Sequence, residues 1–202
     1  MTSREILFLH GFASSGANGT VEILRRAFLG TSAADRVKVV APDIPVDPVE
    51  ALAFLRACVE RDQPALIVGT SMGAMYAQQF HGFVRICVNP CFCLSKKYDI
   101  LHVGRHKWLS PRQDGATEFH VTKETVRHFE EMEAHQFDGV DEVDQLFCHA
   151  LFGDEDALCL PERAVFERHY PGCSSLFHGG HRLNADLVHS VLVPVIKSLA
   201  LF

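Results

Sequence analysis

The chain has 202 residues, 48% of them hydrophobic and 22% charged, which suits one soluble domain with a single sizeable core. Its formal net charge is −6, with one Trp, three Tyr and no long basic run. That balance argues against a nucleic-acid partner, which needs a basic face with stacking aromatics.

In chain order, short β-rich apolar runs alternate with helical patterns. Ile6–Leu9 reads as the first strand and is followed by the flexible segment His10-Gly11-Phe12-Ala13-Ser14-Ser15-Gly16. Thr20–Leu29 reads as a helix and Val37–Ala41 as a strand. Pro48–Arg61 carries a helical stripe of Val49, Leu52, Phe54, Leu55, Cys58 and Val59, with proline near its first turn. Ala65–Val68 is the next strand, Met72–His81 the next helix, and Phe83–Val88 a strand after that. From Cys91 to about Asp141 no clear strand is found, and only Val121–Ala134 is helical, with Thr122 as N-cap and Val126, Phe129 and Met132 along one side. This stretch is expected to be a helical cap inserted between two strands. Leu146–Phe152 and Ser174–Phe177 complete the strands; Pro161–His169 and Leu183–Leu201 complete the helices. Near-continuous hydrophobicity in about six strands, alternating with helices, predicts an α/β fold with a mostly parallel, doubly wound sheet.

Gly69-Thr70-Ser71-Met72-Gly73 stands between a strand and a helix. That pattern suits a nucleophilic serine on a tight, strained turn, where the residues two before and two after it must be small. The backbone N–H of Met72 and that of Phe12, on the loop after the first strand, are the expected oxyanion donors. His10 reads as a histidine that shapes this loop. Gly153-Asp154-Glu155-Asp156 offers three acids after a strand, of which Asp156 is chosen because the loop has turned toward the sheet edge by that point. His178-Gly179-Gly180-His181 offers two imidazoles, and His181 is chosen because glycines precede it and give it reach. The order Ser71, Asp156, His181 is that of an α/β-hydrolase catalytic triad.

These residues carry a resemblance. His-Gly-Phe-x-Ser-Ser after the first strand, Pro42-Asp43-Ile44-Pro45, Gly69-Thr70-Ser71-Met72-Gly73, Asn89-Pro90, Gly153-Asp154-Glu155-Asp156 and Gly179-Gly180 before a histidine resemble the YqiA-type esterases of the α/β-hydrolase superfamily. The family commonly has Gly-Gly-x-His, whereas His181 here directly follows Gly180, and the stretch 91–141 matches poorly. The resemblance implies hydrolysis of a small-molecule carboxylic ester, with thioesters as a further class, and no metal or cofactor. An acyltransferase using the same triad and a catalytically idle binding protein on the same fold are the alternatives. None of the motifs speaks to oligomeric state.

Other patterns are read as structural. His102 and His106 have the spacing of two zinc ligands on a helix, and Cys91-x-Cys93 and Cys148-His149 add sulfur and imidazole. No third ligand falls at a matching spacing, and Cys148 and His149 point to opposite faces of a strand. Arg105–Trp108 reads as solvated surface, and Cys58, Cys87 and Cys159 as small core residues. Seven cysteines without an export signal at the N-terminus suggest free thiols in the cytoplasm. The apolar stretch Val191–Phe202 is too short for a membrane span and contains Pro194 and Lys197, so a packed helix is expected.

Overall fold

Apolar runs with no polar face can be satisfied only between two helical layers, and the strands assemble that way. A computed structural model describes residues 4–29 and 37–199. Its main sheet contains β1 (Arg4–Leu9), β2 (Val37–Val40), β3 (Leu66–Thr70), β4 (Arg85–Val88), β7 (Cys148–Gly153) and β8 (Ser174–Phe177). The spatial order is β2-β1-β3-β4-β7-β8, and every neighbouring pair is parallel. Strand order reverses between β1 and β3, so the loops leaving these two strands open a crevice at one edge.

Alternation along the strands divides the interior into two cores. Leu7, Leu9, Ile67, Cys87, Ala150 and Phe152 lie on one face with α2 (Pro48–Asp62), α3 (Met72–Ala77) and α6 (Arg163–His169). Ile6, Phe8, Leu66, Val68, Ile86, Val88 and Leu151 lie on the other, with α1 (Gly19–Ala27) and the C-terminal helical segment. Each fully buried aliphatic or Phe side chain contributes about 1.5–3 kcal/mol by leaving water. Local signals set the helix starts: Asn18 caps α1 through Val21 N–H, and Asp47 caps α2 ahead of Pro48.

Between β4 and β7 the structure departs from the sequence reading. β5 (Gly104–Lys107) and β6 (Glu118–Val121) pair as an antiparallel hairpin, where no strand was expected. Both are four residues long; β5 is polar, and β6 (Glu118-Phe119-His120-Val121) has its two apolar residues apart, so neither contains the contiguous apolar run used to find the other strands. The helix of this region, α4 (Lys123–His135), is capped by Thr122, whose hydroxyl accepts from Thr125 N–H. A short α5 (Glu142–Gln145) leads into β7. The strand β8 is not buried throughout, since it is a sheet edge and Leu176 is 51% exposed. The expected final helix is α7 (Ala185–Leu187), a π-helical turn and then α8 (Val193–Ser198); its last two expected residues, 200 and 201, lie outside the described residues. No described helix is long and apolar enough to cross a membrane.

Candidate active site

Ser71 follows directly on β3 and precedes α3, with φ 54° and ψ −120°. Both flanking glycines are required by close approach. A Cβ on Gly69 would lie 2.2 Å from the Gly73 carbonyl oxygen, and one on Gly73 would lie 2.1 Å from that of Leu9. The turn is fastened to the next strand: Ser71 N–H donates to Val88 O at 3.0 Å, and Cys91 N–H donates to Ser71 O at 3.2 Å.

The loop after β1 lies against this serine. A Cβ built on Gly11 would be 3.2 Å from Ser71 Cβ and 3.7 Å from Ser71 Oγ. The amides of Phe12 and Met72 take no backbone acceptor among the described residues. His10 is 1% exposed; its Nδ1–H donates to Gly11 O at 2.8 Å, and its Nε2 accepts Ile44 N–H at 3.0 Å. Burial lowers its pKa to about 4, so the ring stays neutral and shapes the loop. The β5–β6 hairpin packs over the same loop. Leu109 N–H donates to Ala13 O at 2.7 Å, Ser15 Oγ donates to Pro111 O at 2.6 Å, and the Phe12 ring meets His106 and Phe119 edge-on at 5.8 and 5.5 Å.

The competing acids and imidazoles separate into two pairs. Asp156 is 2% exposed, and its Oδ2 accepts from His181 Nδ1 at 2.8 Å. Its other oxygen accepts the amides of Leu158 and Cys159 at 3.0 and 3.1 Å, which fixes the carboxylate's orientation. Asp154 instead accepts from Gly179 N–H at 3.0 Å and lies 3.3 Å from His178, whose side chain is 82% exposed. The Gly179 amide, with His178 beside it, holds Asp154 below the usual carboxylate range. Glu155 is a surface acid, with its side chain 63% exposed. The structure thus brings Asp156 to His181 and the Gly11–Phe12 loop to Ser71. Its hydrogen bonds include none between Ser71 Oγ and the His181 ring.

One residue that ties these loops together had no role assigned from sequence. Asn89 follows β4 with φ 44° and is 1% exposed. Its Oδ1 accepts Gly153 N–H at 2.7 Å, and its Nδ2 donates to the carbonyls of Gly180 and His181 at 3.1 and 3.0 Å. The end of β7 and the His181 loop are therefore held from β4. The Asn89-Pro90 landmark was the only signal for it, because three partners 64 to 92 residues away leave no local pattern.

Among the described residues, one group of three side chains could hold a metal ion: Asp156, Cys159 and His181, with ligand atoms within 4.8 Å of one another. The His102 and His106 rings do meet, at 4.3 Å between centroids, but among the described residues no third ligand joins them. His106 lies on β5 rather than on a helix, and its Nε2 lies 2.8 Å from the His102 carbonyl. Cys148 is buried while His149 reaches Ser175 at 3.0 Å.

The model of an uncharacterised protein family, UPF0227, matches residues 5–125. No curated protein sequence matches the chain. Among solved structures, Est1E from Butyrivibrio proteoclasticus superposes with a TM-score of 0.67 at 14% identity, covering 98% of this chain and 89% of that one. A monoacylglycerol lipase from Paleococcus ferrophilus gives 0.64 at 15% identity, covering 98% and 96%. A thioesterase domain from the curacin biosynthetic pathway gives 0.63 at 17% identity, covering 96% and 91%. The fold is that of the α/β hydrolases.

Proposed function

The chain belongs to UPF0227, the family its YqiA-type motifs point to, and from that premise we propose that it is a serine hydrolase cleaving carboxylic esters. The observation that carries this reading is the buried Asp156 carboxylate on His181 Nδ1 at 2.8 Å, on loops at the same sheet edge as the Ser71 turn. In this reading Ser71 Oγ attacks the ester carbonyl while His181 Nε2 takes its proton. Asp156 holds the imidazole in the required tautomer and steadies the imidazolium. The amides of Phe12 and Met72 receive the negative charge of the tetrahedral intermediate. His181 then returns the proton to the departing alcohol, and water attacks the acyl-enzyme by the same relay in reverse. No step calls for a metal or cofactor.

The hairpin's packing on Ala13 and Phe12 supports a further part of the proposal. Residues 91–141 act as a cap on a single catalytic domain and limit the acyl groups admitted. The substrate is a small ester, with thioesters a further class, and the cytoplasm is the proposed location, in keeping with seven free thiols.

A fluorophosphonate probe should label the wild-type protein at Ser71 and leave Ser71→Ala unlabelled. The variant should lose kcat on p-nitrophenyl esters by a factor on the order of 10⁶. Labelling elsewhere, or a variant retaining a few per cent of wild-type turnover, would reject Ser71 as nucleophile. An idle binding protein would not label, and an acyltransferase would consume ester faster when an acceptor alcohol is added.

A further inference from the structure

We propose that Asp156, Cys159 and His181 form an inhibitory site for a thiophilic divalent cation such as Zn²⁺, built into the relay of the proposed hydrolase. The three side chains offer carboxylate, thiol and imidazole ligands within 4.8 Å of one another. Tetrahedral zinc with these donors needs them roughly 3.3–3.7 Å apart. The shift required is ångström-scale and falls to rotation of the His181 side chain, because Asn89 holds its main chain. Cys159 lies three residues beyond Asp156 and its amide is bonded to Asp156 Oδ1, which holds its main chain beside the acid, while its thiol also meets that of Cys91. The Cys159 side chain has no part in the proposed reaction. His181, at 29% side-chain exposure, is the way in from solvent.

Binding exchanges the Cys159 S–H bond for a metal–sulfur bond and releases one proton to solvent. The ion takes the Nδ1 lone pair in place of the bond to Asp156. The ring's one proton then resides on Nε2, which can no longer accept the proton of Ser71. Inhibition follows without any contact to substrate.

The test uses the full chain carrying Cys93→Ala and Cys173→Ala, which removes the two thiols that are not buried. Titration with Co²⁺ alone should give one thiolate-to-metal charge-transfer band per chain, and adding Cys159→Ala should abolish it. Ester hydrolysis should be blocked by Zn²⁺ and restored by EDTA. Measured against its own metal-free turnover, Cys159→Ala should raise the half-inhibitory Zn²⁺ concentration on the order of 100-fold. Absence of the band, or its survival in Cys159→Ala, overturns the proposal. If that variant does not fold, X-ray absorption of the Zn²⁺-loaded wild type decides by its sulfur count: one sulfur is expected, and none overturns the site. Because the proposal rests on the hydrolase reading for its effect alone, the two fail separately. A band in a protein without esterase activity overturns the inhibition and the hydrolase reading but leaves the metal site, and active protein without a band does the reverse.

Discussion

His10 is the clearest case of one side chain whose chemistry is decided by burial. An imidazole at 1% exposure with both nitrogens engaged cannot be charged cheaply, and its pKa falls from 6.5 to about 4. The unfolded chain therefore binds this proton more readily than the folded one between those values. The contribution to stability is complete above pH 6.5 and is lost as pH falls toward 4, by about 3 kcal/mol. Urea denaturation across that range should show the loss in wild type, and His10→Gln should flatten it. An equal slope in both proteins would mean that His10 is not the titrating group. Asn89 acts by position instead. Removing its amide in Asn89→Ala leaves Gly153 N–H and two loop carbonyls without their partner, and frees the His181 loop from β4. The expected result is a fall in kcat of about 100-fold, the scale of a 1 Å misplacement, with KM little changed. A change confined to KM would argue for a role in substrate binding.

At the scale of elements, amphipathic patterns located the helices better than the faces they present. On α2 the sequence stripe included Val49 and Phe54, yet these are 57% and 38% exposed. The buried face is Pro48, Ala51, Leu55, Cys58 and Val59: α2 packs against α4, and Ala51, Leu55 and Val59 join the core cluster of Leu7, Leu9 and Ile67 on the sheet. The β5–β6 hairpin escaped the sequence reading for a related reason: its anchors, Phe119 and Val121, are single apolar residues that pack on remote segments and form no contiguous run. Phe119 is the hinge of that packing, with Phe12 at 5.5 Å, His106 at 5.2 Å and Trp108 at 4.2 Å. Because Phe119 is partly buried, Phe119→Ala should cost roughly 1–2 kcal/mol in urea denaturation and lower kcat by loosening the Phe12 loop. Lost stability with unchanged kcat would show that the hairpin does not position that loop.

Across the whole molecule, one buried charge network joins distant parts of the chain. Arg85 on β4 is 0% exposed and donates to Asp144 Oδ1 at 2.7 Å, to Gln78 O at 2.6 Å and to Phe83 O at 3.0 Å. Tyr170 OH reaches the other Asp144 oxygen at 2.9 Å. Arg85→Met would strand the Asp144 carboxylate in the interior at a cost of about 3–5 kcal/mol. Replacing Arg85 and Asp144 together should recover part of that loss, and a double variant no more stable than the single one would refute the pairing. The sequence by itself determined the parallel α/β sheet, the Ser71 turn and the serine–acid–histidine order, because each is written in contiguous residues: an apolar run, Gly-x-Ser-x-Gly, an acid or histidine just past a strand. What only the tertiary structure decided are relations between remote segments. These are the 2.8 Å contact of Asp156 with His181 that joins the chosen acid and imidazole, the separate contact of Asp154 with His178, the Asn89 tie to the β7 end and the His181 loop, the hairpin over Phe12, and the place of Cys159 beside Asp156. Hydrogen bonds and packing between residues tens of positions apart depend on how strands order in the sheet, and no local period in the chain records that order.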